Sequence, residues 1–187
     1  MAEIARSTFI LGGQRSGAEL LARYWLDASP DHCAVMVATG QAWDDEMRER
    51  IARHQADRAE RVPGMVTVEV PLALAEAVQQ HSDPRTLVVG DCRTLWLTRL
   101  MMPPDPAQAL SEAAVVAVGE GLCATLHHAP GPVVRVGNEI GLGVIPLGRK
   151  VRAFVDALGR LNQRVAATCG RVTLMAAGLP LNLKDTA

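Results

Sequence analysis

The chain has 187 residues and carries 19 basic against 20 acidic side chains, a formal net charge of −1. That balance argues against a nucleic-acid coat protein or a polybasic membrane binder. With 49% hydrophobic and 21% charged residues the composition is that of a soluble globular domain, so disorder is not expected. The length fits a single domain spanning residues 1–187.

Thr8 to Leu11 reads as a buried strand, followed by a glycine turn and a helix through about Asp27. Cys33 to Ala38 is a second strand, and Asp44 to about Glu60 a charged helix with an apolar stripe at Met47 and Ile51. Val66 to Val70 is a short strand and Leu72 to Gln80 a helix. Thr86 to Val89 is a strand ending at Gly90-Asp91, and Arg93 to Met102 is helical. Pro103, Pro104 and Pro106 break that helix and mark a surface insertion. Ala109 to His128 is a long helix, Pro132 to Val136 a strand, and Asn138 to Gly148 a glycine-rich loop. A helix over Arg149 to Cys169 precedes a last strand at Val172 to Ala176. Apolar strands alternating with helices imply a mostly parallel sheet with helices on both faces. Ligands bind such sheets beyond the carboxyl ends of the strands, here the loops at Gly12, Thr39, Asp91 and Asn138.

The four cysteines (Cys33, Cys92, Cys123, Cys169) contain no CxxC pair. This excludes common zinc-ribbon spacings and fits buried thiols in a reducing cytosol. The first residues hold Glu3 and Arg6 without an apolar signal core, and no uncharged apolar run reaches membrane-helix length. A cytoplasmic protein without membrane insertion is therefore expected. Aromatics at 3% make base-stacking on nucleic acid a poor fit. Only Lys150 and Lys184 are lysines, which singles out both positions.

Gly12-Gly13-Gln14-Arg15-Ser16-Gly17-Ala18-Glu19 follows a strand and opens a helix, with the glycine spacing of a phosphate-binding loop. Backbone N–H groups and a helix N-terminus favour an anion there. Ala18, however, stands at the lysine position of such loops and Glu19 at the hydroxyl position. A ligand-free strand-to-helix turn is the competing reading, and Glu19 opposes a phosphate. His54 lies with Met47 and Ile51 on one helical face and is either a packed side chain or a nucleophile. Asp91 ends a strand, where it could hold Mg²⁺ or cap the next helix. Glu69 could bind nucleotide hydroxyls or simply be an exposed strand residue, and Asn138-Glu139 shapes a binding or interface loop or is merely a turn.

Taken in order, these segments resemble the bifunctional adenosylcobinamide kinase / adenosylcobinamide-phosphate guanylyltransferase family. The residues that carry the resemblance are the Gly12–Gly17 loop; Val37-Ala38-Thr39; Asp44 to Met47 with Arg50-Ile51, His54 and Arg58; Thr67 to Glu69; and Asp91-Cys92 with Thr94 to Leu97. Asn138-Glu139 with Gly141, Gly143 and Pro146, then Arg160 to Gln163 and Ala177 to Pro180, complete the series. Only Pro103 to Pro132 lacks a matching feature.

The resemblance implies a RecA-like P-loop NTPase fold and a homotrimer. It implies phosphorylation of adenosylcobinamide with ATP or GTP, then transfer of GMP from GTP through a histidine phosphoramidate, with Mg²⁺ accompanying the nucleotide. The family's histidine matches His54. Its nucleotide-binding residues match Gly12, Gly13, Gln14, Arg15, Ser16, Gly17, Ala18 and Glu19; Ala38, Thr39 and Gly40; Gln55 and Arg58; Glu69; and Asp91, which is also the metal candidate. The chain departs from the pattern at Ala18-Glu19, at Gly90 where an aliphatic residue is usual, at Arg135-Val136-Gly137 where an apolar strand is usual, and at Leu147-Gly148. Arg15, Arg58 or Lys150 could rebuild the phosphate grip. The alternative is a non-catalytic paralogue that binds nucleotide or corrinoid and has lost the loop's lysine and serine.

Overall fold

A computed structural model describes residues 7–13 and 33–186. The expected first helix and the loop residues Gln14 to Glu19 lie outside the described residues. Seven strands form one sheet: β1 (Ser7–Gly12), β2 (Cys33–Ala38), β3 (Val66–Glu69), β4 (Thr86–Asp91), β5 (Val133–Asn138), β6 (Arg171–Ala176) and β7 (Leu179–Asp185). Their order across the sheet is β3-β2-β4-β5-β1-β6-β7. The first six run parallel, and β7 pairs antiparallel with β6. The described helices are α1 (Asp45–Arg61), α2 (Leu74–His81), α3 (Arg93–Met101), α4 (Glu112–His128) and α5 (Arg149–Thr168).

The apolar runs become strands because both sheet faces take side chains out of water. Phe9 and Leu11 face a core shared with α2, α3, α4 and α5, whereas Ile10 joins Met36, Leu87, Val89, Val134, Val136 and Met175 on the opposite face. Continuous apolar character, rather than alternation, is what such double burial requires.

Several boundaries differ from the sequence reading, each for a local reason. β4 runs on through Gly90 to Asp91 and β5 through Asn138, because parallel pairing with β2 and β1 continues to those residues. α4 begins at Glu112 because the Ser111 hydroxyl accepts from the Ala114 N–H at 3.2 Å. A short 3₁₀ turn over Pro106–Gln108 occupies the proline-rich segment. The strand at Val172 to Ala176 is not the last: Ala177 and Gly178, both with positive φ, turn the chain into β7. The sequence reading missed β7 because its leucines are largely solvent-exposed. Lys184 on β7 donates to the Ala166 and Ala167 carbonyls at 3.1 and 2.9 Å, capping the end of α5. Lys150 is exposed in the first turn of α5. Cys33 is also exposed, a correction to the expectation of buried thiols; the cation-rich interior encloses Cys169 instead.

Candidate active site

The parallel pairing aligns the carboxyl ends of five strands on one edge. Gly12 is in register with Asn138, and Ala38 with both Glu69 and Asp91. The chain leaves β2 through Thr39, which is buried and stitched to the end of β4. Its N–H donates to the Asp91 carbonyl at 2.9 Å, its hydroxyl donates to the Cys92 carbonyl at 2.7 Å, and the same oxygen accepts from the Cys92 N–H at 3.1 Å.

A second set of bonds joins β4, β5, β1 and α5. The Cys92 thiol donates to Asn138 Oδ1 at 3.0 Å, and the Asn138 N–H donates to the Thr94 hydroxyl at 3.1 Å. The Glu139 N–H donates to the Gly12 carbonyl at 3.1 Å. The Glu139 carboxylate accepts from Gly141 N–H at 2.8 Å and from Asn162 Nδ2 at 3.3 Å. Asn138-Glu139 is therefore a brace between strand ends, not merely a turn. Burial, with the charge of Asp91 next to it, raises the Cys92 pKa and keeps its proton available for the bond to Asn138.

The structure thus brings Gly12, Gly13, Ala38, Thr39, Gly40, Glu69 and Asp91 to one edge. Gly13 is exposed just past the end of β1. Glu69 is exposed at the end of the edge strand β3, free to face a ligand. Asp91 closes β4, and α3 is entered through Cys92, so Asp91 is not the helix cap considered from sequence.

His54 and Gln55 are carried on α1 rather than on the edge itself. Asp44 starts this helix by accepting from the Met47 N–H at 2.7 Å. Met47, Arg50, Ile51, His54 and Asp57 form its half-buried face, as the spacing predicts, and Gln55 is exposed. The His54 ring keeps Nδ1 shielded from solvent. Its Cα lies roughly 14 Å along α1 from the first turn. Gln14 to Glu19 fall outside the described residues, as does the side chain of Arg58.

Among the described residues no group of three or more His, Cys, Asp and Glu side chains could cage a metal ion. The Asp91 carboxylate is a ligand type that suits Mg²⁺, which retains water and takes phosphate oxygens rather than a full protein cage.

Three residues near this edge were not among the site candidates read from the sequence, although Arg135 stood out there as a departure from the family pattern. Trp43, 52% exposed in the loop between β2 and α1, lies under the Arg99 guanidinium at 4.8 Å from its ring centroid. Arg93 and Arg135 are each only 1% exposed. Arg93 Nη2 donates to Asn162 Oδ1 at 2.5 Å, and its Cζ stands 4.1 Å from the Phe9 ring centroid. Burial and the neighbouring Arg135 charge pull Arg93 down to about 9, and burial pulls Arg135 down to about 10. Both remain cationic at neutral pH. The visible signals were the glycines beside them. A Cβ on Gly90 would come 2.8 Å from Arg135 Cζ, and a Cβ on Gly137 would come 2.7 Å from Arg93 Nη2.

Residues 8–183 match the family model for cobinamide kinase / cobinamide phosphate guanyltransferase. The chain belongs to this family. It is 43% identical over 175 residues to the bifunctional adenosylcobalamin biosynthesis protein CobP of Pseudomonas aeruginosa, covering 94% of this chain and 95% of that protein. It is 32% identical over 182 residues to CobU of Escherichia coli, covering 94% and 98%. In fold, it resembles the flagellar accessory protein FlaH of Methanocaldococcus jannaschii, with TM-score 0.51, 10% identity and 96% and 78% of the two chains covered. A protein of Pyrococcus horikoshii aligns with TM-score 0.56 and 11% identity over 99% of this chain and 89% of its own. These cobinamide-family residues therefore sit on a P-loop NTPase fold of RecA-like type, with a mostly parallel sheet.

Proposed function

We propose that the chain is an adenosylcobinamide kinase and adenosylcobinamide-phosphate guanylyltransferase acting in the assembly of the cobalamin nucleotide loop. The observation that carries this reading is the convergence of Gly12, Thr39, Glu69, Asp91 and Asn138 on one edge of the sheet. Phosphoryl and nucleotidyl transfer depend on such positioning more than on covalent chemistry by the protein.

In this reading His54 attacks the α-phosphorus of GTP. An N–P bond forms as the bond to the β-phosphate oxygen breaks, and pyrophosphate leaves. An oxygen of adenosylcobinamide phosphate then displaces the histidine, giving adenosyl-GDP-cobinamide and regenerating His54. Dividing one displacement into two is what a nucleophilic side chain contributes. The nucleotide, GTP or ATP, lies along Gly12 to Glu19, with Ala38 to Gly40, Gln55, Arg58 and Glu69 around it. Asp91 would hold the accompanying Mg²⁺, which supplies charge neutralisation on the phosphates.

The protein works as a cytoplasmic homotrimer in this reading. The loop after Glu139 exposes Leu142, Val144, Ile145 and Leu147, an apolar stretch suited to a second copy or to the corrinoid. No described helix is long and apolar enough to cross a membrane.

Ala18 and Glu19 favour a second reading, a non-catalytic paralogue that binds nucleotide or corrinoid. Incubation with α-labelled GTP and Mg²⁺, followed by denaturation, tests the first reading. Acid-labile, base-stable label that is lost in His54→Ala is the expected result. If the wild-type chain takes no label while a labelling-competent relative does so in parallel, the second reading replaces the first. Ala18→Lys with Glu19→Ser should then raise GTP affinity if the loop is the phosphate site.

A further inference from the structure

The two buried arginines need an explanation that stability does not provide. Arg93 Nε and Nη1, and Nε, Nη1 and Nη2 of Arg135, are buried without a hydrogen-bond partner among the described residues. Unpaired buried charge destabilises a fold, and well-packed apolar side chains of similar volume are generally better tolerated. Glycines nonetheless leave room for both groups. Gly90 pairs in register with Arg135, and a side chain at Gly90 would occupy the space of its guanidinium. Gly137 makes the same room for Arg93. The arginine at 135 and the glycine at 90 are thus one coupled feature.

Register also fixes where the charge sits. The Arg135 guanidinium lies against Gly90, one residue before the Ala38–Asp91 pair that ends β2 and β4. The Arg93 guanidinium lies against Gly137, one residue before the Gly12–Asn138 pair that ends β1 and β5. The Arg93 guanidinium thus lies one rung beneath Gly12, where the glycine turn begins, and that of Arg135, at the level of the Phe9–Arg135–Gly90 pairing, lies three rungs beneath it. Successive rungs are about 3.3 Å apart, so along the strands the Arg93 charge lies about 3 Å and the Arg135 charge about 10 Å beneath Gly12. Two acids temper these charges: Asp91, whose charge Arg135 senses, and Glu139, linked to Arg93 through Asn162.

We propose that Arg93 and Arg135 are positioning cations for a polyphosphate at this edge, supplying from the interior the positive charge that the glycine loop lacks at Ala18. The proposal rests on the nucleotide reading above. Shielded from solvent, these charges act through a low-dielectric medium and are weakly screened by salt. At an effective dielectric constant near 20, a unit charge about 10 Å away alters anion affinity on the order of tenfold.

The test measures affinity for magnesium GTP, magnesium pyrophosphate and uncharged guanosine by calorimetric titration, with thermal unfolding alongside. In Gly90→Val with Arg135→Leu, an aliphatic pair replaces the glycine and the cation. The expected result is at least tenfold weaker GTP and pyrophosphate binding, unchanged guanosine binding, and a melting temperature equal to or above that of the wild type. Arg135→Lys should keep affinity within about threefold of the wild type, whereas Arg135→Gln should lose it as the double variant does. The Lys and Gln pair decides the question if the double variant does not fold. Losses of equal size for guanosine and pyrophosphate, or GTP affinity unchanged in Arg135→Gln, would overturn the proposal. Wild-type protein that binds neither GTP nor pyrophosphate would instead overturn the nucleotide reading, and this proposal with it.

Discussion

The carboxyl edge of the sheet and the layer beneath it solve the problem of buried polarity in opposite ways. At the edge, Thr39, Cys92, Asn138, Glu139 and Asn162 satisfy one another through a chain of hydrogen bonds spanning four secondary-structure elements. Beneath it, five guanidinium nitrogens of Arg93 and Arg135 have no partner among the described residues. A satisfied network gives shape at small net cost, because each bond replaces one to water. Arg93 makes one hydrogen bond, to Asn162, and Arg135 makes none among the described residues, so both leave buried polar capacity unused at a cost in stability, and their value is electrostatic. The comparison teaches that the two layers should respond differently to substitution: the edge through geometry, the interior through charge.

Breaking the link between the layers should have the largest effect. Asn162→Leu removes the hydrogen bond of Arg93 and two bonds to the Asn138–Glu139 brace. A loss of about 3 kcal/mol is expected, read from urea unfolding, because a buried cation loses its partner. Next comes Gly137→Ala, which sets a methyl group 2.7 Å from Arg93 Nη2 and 3.2 Å from Phe9 Cε2. Overpacking there should cost about 2 kcal/mol in the same assay. Within the edge alone, Thr39→Val removes two hydrogen bonds to the Cys92 backbone and should cost about 1 kcal/mol.

A pH series sharpens the charge half of the comparison. Arg135 releases its proton near pH 10 when folded but at its ordinary, higher value when unfolded. Between those values the unfolded chain binds more protons, so this residue's contribution to stability becomes more favourable as pH rises. Gly90→Val with Arg135→Leu should therefore show its largest stability advantage near pH 8, and the advantage should narrow above pH 9.5 in thermal melts. A constant advantage across that range would mean Arg135 does not titrate in the folded interior. The smallest effect is expected at the surface. Arg160 and Glu112 meet at 2.6 Å but are largely solvated, and Arg160→Ala should change stability by no more than about 0.5 kcal/mol.

Much of this organisation was legible in the sequence. The apolar runs at Thr8 to Leu11, Cys33 to Ala38 and Thr86 to Val89 are strands because a doubly covered sheet needs uninterrupted hydrophobicity. The His54 helix was legible through its acidic start and the spacing of Met47, Ile51 and His54. The order of motifs was sufficient to reach the family. β7 was not legible, since Leu179, Leu181 and Leu183 remain exposed and its pairing depends on the turn at Ala177-Gly178. Gly90 and Gly137 stood out as departures from the family pattern, but nothing local says which side chain fills the space beside them.

The sequence by itself determined the parallel α/β architecture, the placement of the glycine turn and the histidine helix, and the family. Those follow from periodicity and turn chemistry, which act over a few residues. The tertiary structure alone decided that Arg135 lies against Gly90, that Arg93 lies against Gly137, and that Asn162 joins Arg93 to Glu139. Strand register and helix packing make these contacts between residues 23 to 69 positions apart where hydrogen bonds link them. No local pattern encodes such pairings, because they arise only when separate segments compete for the same buried volume.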